Sequence, residues 1–297
     1  MQKIGVIGCG LMGSGIVKTL VKNDFEVFIY DVNKNAVSDL RKIGALPQEN
    51  AHEVAKKVEA LILSLPSPSL VENILTDSLD GVLNIMKKDT FILDMSTNDV
   101  KTTKILHDKA KSYNLHFYDC PLSGGPEGAR TGSLTIMVGG EPSFYKNILP
   151  ILEVLGENIF YVGEKGTGQV AKLCNNMLVA GIISLGSQVL LTAEKSGLSK
   201  EKLHSILQTG SAQTKVMEVF GPNILKESYE NMNFSLSNMV KDINLYEKLA
   251  EITNTSSETT KQICKLFDRA MEKEEEDLDA TAVYQEIYKQ TTVSNFN

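Results

Sequence analysis

The alternation of apolar and polar residues divides the chain into two parts of different character. In the first part, short apolar runs at residues 3–7, 26–31, 60–65 and 159–162 are separated by segments with apolar residues at helical spacing. Strands that alternate with helices indicate a mostly parallel sheet with helices on both faces. Residues 1–163 are therefore predicted to form an α/β domain.

Beyond residue 163 the pattern is helical. Six helices are predicted there, at residues 170–196, 200–207, 215–220, 236–253, 258–273 and 280–289. Residues 164–297 are accordingly predicted to form an all-α domain, which the chain enters along a long interdomain helix. The glycine-rich residues 163–168 before that helix are predicted to act as a hinge.

The first of these helices carries an unusual lysine. From Val170 to Leu191 most residues are aliphatic, Ala or Gly, a pattern typical of a helix buried by its neighbours. Lys172 and Asn176 interrupt this run, and because they are four residues apart they project from one face. Burial lowers the pKa of an ammonium group, so such a lysine can exchange protons near neutral pH. The alternative is that the charge reaches water along the aliphatic stem.

A glycine-rich turn follows the first predicted strand and opens a helix. Its G-x-G-x-x-G residues are predicted to contact a dinucleotide: Gly8, Gly10, Leu11, Met12 and Gly13. The next strand ends in Asp31, eighteen residues after Gly13. Together these features predict a Rossmann-type domain in which the turn approaches a pyrophosphate and Asp31 accepts hydrogen bonds from the ribose.

Asp31 also bears on the choice of cofactor. Its carboxylate would repel a ribose 2′-phosphate, and residues 32–35 contain no arginine that could bind one. NAD is therefore predicted in preference to NADP, and Lys34 is the residue that keeps NADP as an alternative.

Further candidates lie where other predicted strands end, because ligands of parallel sheets bind beyond the carboxyl ends of the strands. This rule places three residues at the mouth of the cofactor crevice: Pro66, Ser96 and Thr97. Ser123, Gly124 and Gly125 also follow a strand, and their hydroxyl and backbone N–H groups suit a carboxylate. They equally suit a tight turn that needs glycine, so both interpretations stay open at this point.

Composition argues against several kinds of partner and site. The formal net charge of −7 argues against nucleic acid or an anionic membrane surface as a partner. The four cysteines, at positions 9, 120, 174 and 264, have neither C-x-x-C spacing nor a nearby histidine cluster, and we predict no metal site. The chain opens on an apolar strand without a basic leader, so a cytoplasmic protein is expected. A mitochondrial matrix protein that has lost a transit peptide is the alternative.

Four separated blocks of the sequence resemble the β-hydroxyacid dehydrogenase family, whose best-known members are 3-hydroxyisobutyrate dehydrogenases. The blocks are residues 7–13, residues 119–125 with 132–140, residues 166–176 and residues 241–245. Taken together, the order and spacing of these blocks are specific for the family, and the resemblance spans nearly the whole chain. The sequence departs from the family near Val100, where a proline is usual, and we interpret this as a change in loop stiffness.

The resemblance implies roles for particular residues. In the family, the residues that correspond to Ser123 and Gly124 bind the substrate carboxylate. The lysine at the position of Lys172 is the general acid/base, and the asparagine at the position of Asn176 orients the substrate.

The fourth block adds two residues, and the family adds an architecture. The lysine that corresponds to Lys241 lies near the nicotinamide and the substrate, with Asp242 supporting it. The family also implies a helical domain that closes the site and contributes to a homodimer or homotetramer.

The sequence therefore predicts an NAD-dependent dehydrogenase that interconverts a short 3-hydroxy acid and its semialdehyde, with 3-hydroxyisobutyrate as the leading substrate. One alternative is an NADPH-dependent reductase of glyoxylate or succinic semialdehyde. An alternative of another class is a non-catalytic interaction module of the same fold, which the presence of Lys172 disfavours.

Overall fold

The computed structural model describes residues 1–272 and 277–293, which belong to two compact units. The first unit comprises Met1–Lys172, and the second begins at Leu173. The strands of the first unit are β1 (Lys3–Ile7), β2 (Glu26–Tyr30), β3 (Leu46–Pro47), β4 (Ala60–Leu63), β5 (Phe91–Asp94), β6 (His116–Asp119), β7 (Leu122–Ser123), β8 (Thr135–Gly140) and β9 (Asn158–Gly163). Its helices are α1 (Leu11–Lys22), α2 (Lys34–Arg41), α3 (Ala51–Ala55), α4 (Pro68–Thr76), α5 (Val100–Ser112), α6 (Gly125–Thr131) and α7 (Tyr145–Leu155), and it includes the start of α8 (Thr167–Lys195).

All nine strands described in the first unit join one sheet. Their order is β3-β2-β1-β4-β5-β6-β8-β7, and β9 pairs with β8. The pairs from β3 to β6 and the pair β8–β9 are parallel, whereas β8 runs antiparallel to β6 and β7. The strand order reverses next to β1, so the switch point at which such sheets bind ligands lies between β1 and β4. The predicted mostly parallel sheet is confirmed.

Helices cover both faces of this sheet, and each face has its own apolar core. One core packs residues such as Ile16 of α1 and Ile148 of α7 against the strands. The other packs Val54 of α3 and Leu106 of α5 against the opposite face. Every residue of β4 and β5 is buried, which explains why β4 and the first three residues of β5 are continuous apolar runs in the sequence.

The regular elements of the second unit are helices, within the residues that the structure describes. This unit contains the rest of α8, a 3-10 turn at Ala280–Ala282, and α9 (Lys200–Leu207), α10 (Lys215–Lys226), α11 (Leu236–Ile252), α12 (Glu258–Met271) and α13 (Val283–Val293). Four helices, α9 to α12, begin after a serine or threonine whose side chain accepts a hydrogen bond from a first-turn amide. The one extended pairing described in this unit is an isolated bridge between Ser235 and Asp279. The predicted all-α second part is confirmed.

The two units divide at a different residue from the predicted domain boundary. The prediction placed the boundary after residue 163, whereas the first unit extends to Lys172. The reason is that the backbone amides of Gly166 and Gln169 donate hydrogen bonds to the carboxylate of Asp119, at the end of β6. Lys172 is the last residue of the first unit. The same bonds hold part of the predicted hinge against the sheet.

Several element boundaries also differ from the prediction. The prediction missed β3 and β7, which have two residues each, and α6, whose glycines and proline obscure a helical pattern. Helix α10 continues through Pro222 to Lys226, beyond its predicted end at residue 220. Helix α12 ends at Met271, and residue 273 of the predicted helix lies outside the described residues.

Helix α8 is long and apolar enough, by length and composition alone, to cross a membrane, and it is the one such helix in the described part of the chain. Its first turn is hydrogen-bonded to Asp119, however, and residues along it such as Leu173, Ala180 and Leu190 are fully buried in the protein. We therefore interpret α8 as a helix that packs against the protein along one side.

Candidate active site

The glycine turn lies at the carboxyl end of β1 and contains glycines of two kinds. Gly8 has a φ of +96°, and a Cβ atom there would lie 2.1 Å from the Ser64 carbonyl oxygen. A Cβ atom on Gly13 would lie 1.9 Å from the Gly8 carbonyl oxygen, so the protein itself requires glycine at both positions. A Cβ atom on Gly10 would meet no atom of the described residues within 4 Å. The open space beside Gly10 suits a ligand that approaches the backbone closely.

The start of α1 is suited to an anion. Gly10 precedes the helix without capping it through a side chain, and the first turn has no acidic residue. Leu11 is 69% exposed, whereas Met12 packs against the core of the first unit. Because uncapped amides and the helix dipole attract negative charge, the turn and helix together fit a pyrophosphate.

Asp31 lies beside this turn at the carboxyl end of β2. Its Oδ2 accepts a hydrogen bond from the Cys9 amide at 2.5 Å, and its Oδ1 accepts one from the Asn33 amide at 2.7 Å. These bonds fix the carboxylate against the glycine turn. Burial, and then the charge of Asp31, raise the pKa of the Cys9 thiol to about 12, so Cys9 is a protonated packing residue. The Lys34 ammonium lies 5.7 Å from the centre of the Tyr30 ring.

The loops after β4 and β5 are joined by hydrogen bonds. The Ser96 hydroxyl accepts a bond from the Leu65 amide at 3.0 Å, which holds the loop that contains exposed Pro66. Thr97 follows and is half-buried. Three of the residues predicted from strand ends thus lie at one edge of the sheet.

Asp94, the last residue of β5, organises the second of these loops. Its Oδ1 accepts a bond from the Ser96 amide at 3.0 Å, and its Oδ2 accepts one from the Asn98 side chain at 2.5 Å. Burial raises the pKa of Asp94 to about 7, against the lowering effect of these bonds, and the charge of Asp119 adds to the rise. Asp119 is its direct neighbour in the register of β5 and β6.

The serine–glycine turn after β6 has a geometry that needs glycine. Ser123 pairs with Thr135 of β8. Gly124, immediately before α6, has a φ of +124°, and Gly125, the first residue of α6, has a φ of +64°. The tight-turn interpretation therefore accounts for both glycines. The binding of a carboxylate by Ser123, Gly124 and Gly125 stays a prediction.

The start of α8 carries Lys172, which is 7% exposed. Gln169, three residues earlier, is fully buried and hydrogen-bonds to the β5 loop at Ser96 and Asn98. Sequence reasoning did not assign a role to Gln169 or Asp119. The one signal in the sequence is that Asp119 is an acid at the end of a buried strand.

A second group of predicted residues lies in the helical unit. Asp242 is 1% exposed, and its two carboxylate oxygens accept hydrogen bonds from Asn176 Nδ2 and Lys241 Nζ, both at 2.6 Å. The Asn176 side-chain oxygen accepts a further bond from Asn175 at 3.0 Å. The buried acid is thus fully engaged by one amide and one ammonium group. Among the described residues, no group of three or more His, Cys, Asp or Glu side chains is arranged to hold a metal ion.

Comparison with known proteins identifies the family. The NAD binding domain of 6-phosphogluconate dehydrogenase matches residues 3–163, and the NAD-binding domain of NADP-dependent 3-hydroxyisobutyrate dehydrogenase matches residues 166–287. This chain belongs to the β-hydroxyacid dehydrogenase family. It is an NAD(P)-dependent oxidoreductase that acts on the CH–OH group of its substrate.

Individual relatives of this β-hydroxyacid dehydrogenase match over most of their length. Mouse mitochondrial 3-hydroxyisobutyrate dehydrogenase is 31% identical over 258 residues, which are 85% of this chain and 77% of the relative. The 2-hydroxy-3-oxopropionate reductase of Escherichia coli is 30% identical over 286 residues, 96% of this chain and 97% of the relative. The structure of Mycobacterium tuberculosis 3-hydroxyisobutyrate dehydrogenase with L-serine superposes with a TM-score of 0.88 at 27% identity, covering 97% of this chain and 99% of the other.

Proposed function

We propose that this β-hydroxyacid dehydrogenase uses NAD to oxidise a short 3-hydroxy acid to its semialdehyde, with 3-hydroxyisobutyrate and methylmalonate semialdehyde as the leading pair. The observation that carries the proposal is the placement of Lys172. This buried lysine follows a helical turn that Gln169 binds to the loop at the carboxyl end of β5. The edge of the sheet at which that loop lies also holds the glycine turn and Asp31.

Lys172 is the proposed general acid/base. Oxidation of an alcohol removes a hydride from carbon and a proton from oxygen, and bound nicotinamide supplies the hydride acceptor. The Lys172 Nζ atom accepts the proton of the substrate hydroxyl and returns it in the reverse reaction. Burial of the side chain favours proton exchange with the substrate rather than with bulk water.

The substrate is held by polar groups on either side of this lysine in the sequence. The hydroxyl of Ser123 and the backbone N–H groups at Gly124 and Gly125 donate to the substrate carboxylate. Asn176, one turn beyond Lys172 on α8, hydrogen-bonds to the substrate and orients it. These roles predict a preference for a hydroxy acid over a simple alcohol.

The cofactor is held by the glycine turn and by Asp31. The amides at the start of α1 donate to the pyrophosphate, Asp31 accepts from the ribose, and Pro66, Ser96 and Thr97 lie along the nicotinamide half. NAD is proposed over NADP because the Asp31 carboxylate, fixed by the Cys9 and Asn33 amides, would repel a 2′-phosphate.

Asp242 is proposed to orient two residues of the helical unit. Its paired bonds to Asn176 and Lys241 hold both side chains in single orientations. The resemblance to the family is what assigns Lys241 a role near the nicotinamide and the substrate, with Asp242 supporting it.

A reductase acting in the opposite direction is the second candidate. The E. coli relative is a 2-hydroxy-3-oxopropionate reductase, and the same lysine would donate the proton in such a reaction. An NADPH-dependent reductase of glyoxylate or succinic semialdehyde would have to bind a ribose 2′-phosphate beside the Asp31 carboxylate. The first candidate uses NAD, which has no such phosphate. The interaction-module alternative gains no support, because the chain belongs to a family of enzymes.

We also propose that the enzyme is a homodimer or homotetramer. Helix α8 carries a stripe of exposed apolar side chains, hereafter the α8 stripe: Cys174, Leu178, Leu185 and Val189. Leu178 and Leu185 are 65% and 63% exposed, and no charged residue occurs between Lys172 and Glu194. An uncharged apolar face of this kind favours burial against another copy of the chain.

Initial rates over a panel of substrates test the proposed function. The panel contains 3-hydroxyisobutyrate, 3-hydroxypropionate, 4-hydroxybutyrate and tartronate, each offered with NAD and with NADP at equal concentration. We expect the highest kcat/KM for a 3-hydroxy acid with NAD. A clear preference for NADP would refute the cofactor assignment, and failure to oxidise any member with either cofactor would refute the substrate class.

A further inference from the structure

The first turn of α8 is capped by a residue far away in the sequence. Gly166 and Gln169 donate their backbone N–H groups to the two oxygens of the Asp119 carboxylate, at 2.8 and 3.0 Å. The position before the helix is Gly166, with a φ of +85°, and a glycine has no side chain that could cap these amides. Asp119 therefore does from β6 what a local serine or aspartate does at other helices. His107 Nε2 lies 2.9 Å from the same carboxylate and completes its surroundings.

The backbone of this turn lies directly against the sheet. A Cβ atom on Gly168 would lie 2.6 Å from the carbonyl oxygens of Asp119 and Met137, and one on Gly139 would lie 2.8 Å from the Gly168 nitrogen. Glycine at both positions lets α8 approach β6 and β8 without an intervening side chain. The turn is thus held by both hydrogen bonds and close packing.

Gln169 joins the same turn to a second strand end. This fully buried side chain accepts a hydrogen bond from the Asn98 amide at 3.0 Å through Oε1 and donates one to the Ser96 carbonyl at 2.9 Å through Nε2. Both groups of its amide are satisfied by one loop. That loop contains Thr97, which the proposed function places beside the nicotinamide. Gln169 therefore links the turn before Lys172 to the wall of the cofactor site.

We propose that Asp119 and Gln169, together the α8 clamp, are positioning residues that fix Lys172 relative to the loop at residues 95–98. This positioning role rests on the proposed function of Lys172. Lys172 follows Gln169 by three residues on one continuous helix, so any shift of the clamped turn moves the lysine with it. A displacement of about 1 Å at a reacting group costs roughly 100-fold in rate. In this role the α8 clamp acts through Lys172 and takes no direct part in the chemistry.

Two variants test the α8 clamp against a matched control. Asp119→Asn places an amide nitrogen where an N–H donor needs an acceptor, and Gln169→Met removes both side-chain bonds at similar volume. Tyr118→Phe is the control, because Tyr118 is a fully buried neighbour on β6 whose hydroxyl donates to the Glu141 carbonyl at 2.5 Å, away from α8. It removes one partly buried hydrogen bond without touching the clamp.

Two readouts separate the α8 clamp from a general role in stability. In cofactor-free protein, hydrogen–deuterium exchange of residues 165–173 should accelerate in both clamp variants and stay as in the wild type in Tyr118→Phe. With saturating substrates, kcat should fall by roughly 100-fold in the clamp variants, while the KM for NAD stays within about threefold of the wild type. Tyr118→Phe should keep its kcat even where its Tm falls equally.

The two readouts also distinguish failure of this proposal from failure of the proposed function. Unchanged exchange in both clamp variants, or a kcat within twofold of that of Tyr118→Phe, overturns the α8 clamp. If Asp119→Asn does not fold, Gln169→Met alone decides the matter. If the wild type oxidises no substrate, the proposed function fails, and the exchange comparison still accepts or rejects the restraint of the turn.

Discussion

Replacement of Asp94 by asparagine should stabilise the protein, and increasingly so as the pH rises. Burial raises the pKa of Asp94 from 3.8 to about 7 in the folded protein, whereas the unfolded chain keeps an ordinary value. Between these pH values the folded state retains a proton that the unfolded state has released. The free energy of unfolding therefore falls as pH rises through this window and levels off above pH 7. A difference of about 3 between the two pKa values lowers the free energy of unfolding by about 4 kcal/mol at the upper end of this pH window.

The asparagine should retain most of the local hydrogen bonds. Its side-chain oxygen can still accept from the Ser96 amide, as Asp94 Oδ1 does. The Asn98 Oδ1 atom has no hydrogen-bond partner among the described residues, so a flip of the Asn98 amide would offer this oxygen to the new donor. The stability gained by removing a buried acid should thus exceed the stability lost through the altered hydrogen bonds.

Urea unfolding at pH 5, 6, 7 and 8 measures the effect. The stability of Asp94→Asn relative to the wild type should rise by about 2–3 kcal/mol between pH 5 and 8. Asp77→Asn is the control, because Asp77 is a fully exposed acid whose carboxylate accepts from the Leu79 and Asp80 amides, bonds that lower its pKa. It should show no such rise. A constant difference between Asp94→Asn and the wild type across this range would mean that Asp94 is ionised throughout, and the reasoning would be wrong.

Three further changes test separate parts of the structure. Gly139→Ala should lower the Tm and slow turnover, because its Cβ would lie 2.8 Å from both oxygens of the Asp119 carboxylate. Gly181→Ala is the control and should have a small effect, because its Cβ would lie 3.5 Å from the nearest side-chain atom. Thermal unfolding and initial rates compare the two variants. Asp31→Ala should raise the KM for NAD about tenfold and reduce the preference for NAD over NADP, as measured by initial rates with both cofactors. An unchanged ratio of the rates with NAD and with NADP would contradict the ribose contact. Leu185→Glu on the α8 stripe should reduce the oligomer to a smaller species in light scattering, whereas Leu79→Glu, at a leucine 85% exposed in the first unit, should not.

The sequence was sufficient for the fold because the relevant patterns are local. Strand β4 and its neighbours are continuous apolar runs, and the glycine turn is followed at a fixed spacing by Asp31, so both could be recognised within about 30 residues. Short elements such as α6 escaped because glycine and proline replace the apolar residues that reveal a helix.

The arrangement of polar groups could not be read in the same way. Asp119 lies 47 and 50 residues from the two amides that it accepts, and Asn176 lies 66 residues from Asp242. No local pattern encodes such pairings, because they arise only when strand ends and helices meet in three dimensions. The raised pKa of Asp94 likewise depends on complete burial and on a neighbour in the sheet, which the sequence does not specify.

The most direct test of the proposed chemistry compares two buried lysines. Lys172→Ala should lower kcat for hydroxy-acid oxidation by about 100- to 10,000-fold while the Kd for NAD stays nearly unchanged, because a general base is lost and the cofactor contacts are not. Lys200→Met is the control, since Lys200 is 6% exposed and bound to Glu227 at 2.6 Å in the helical unit. It should lose stability and keep its kcat. A Lys172→Ala enzyme that turns over as fast as the wild type would contradict the role of Lys172 as general acid/base.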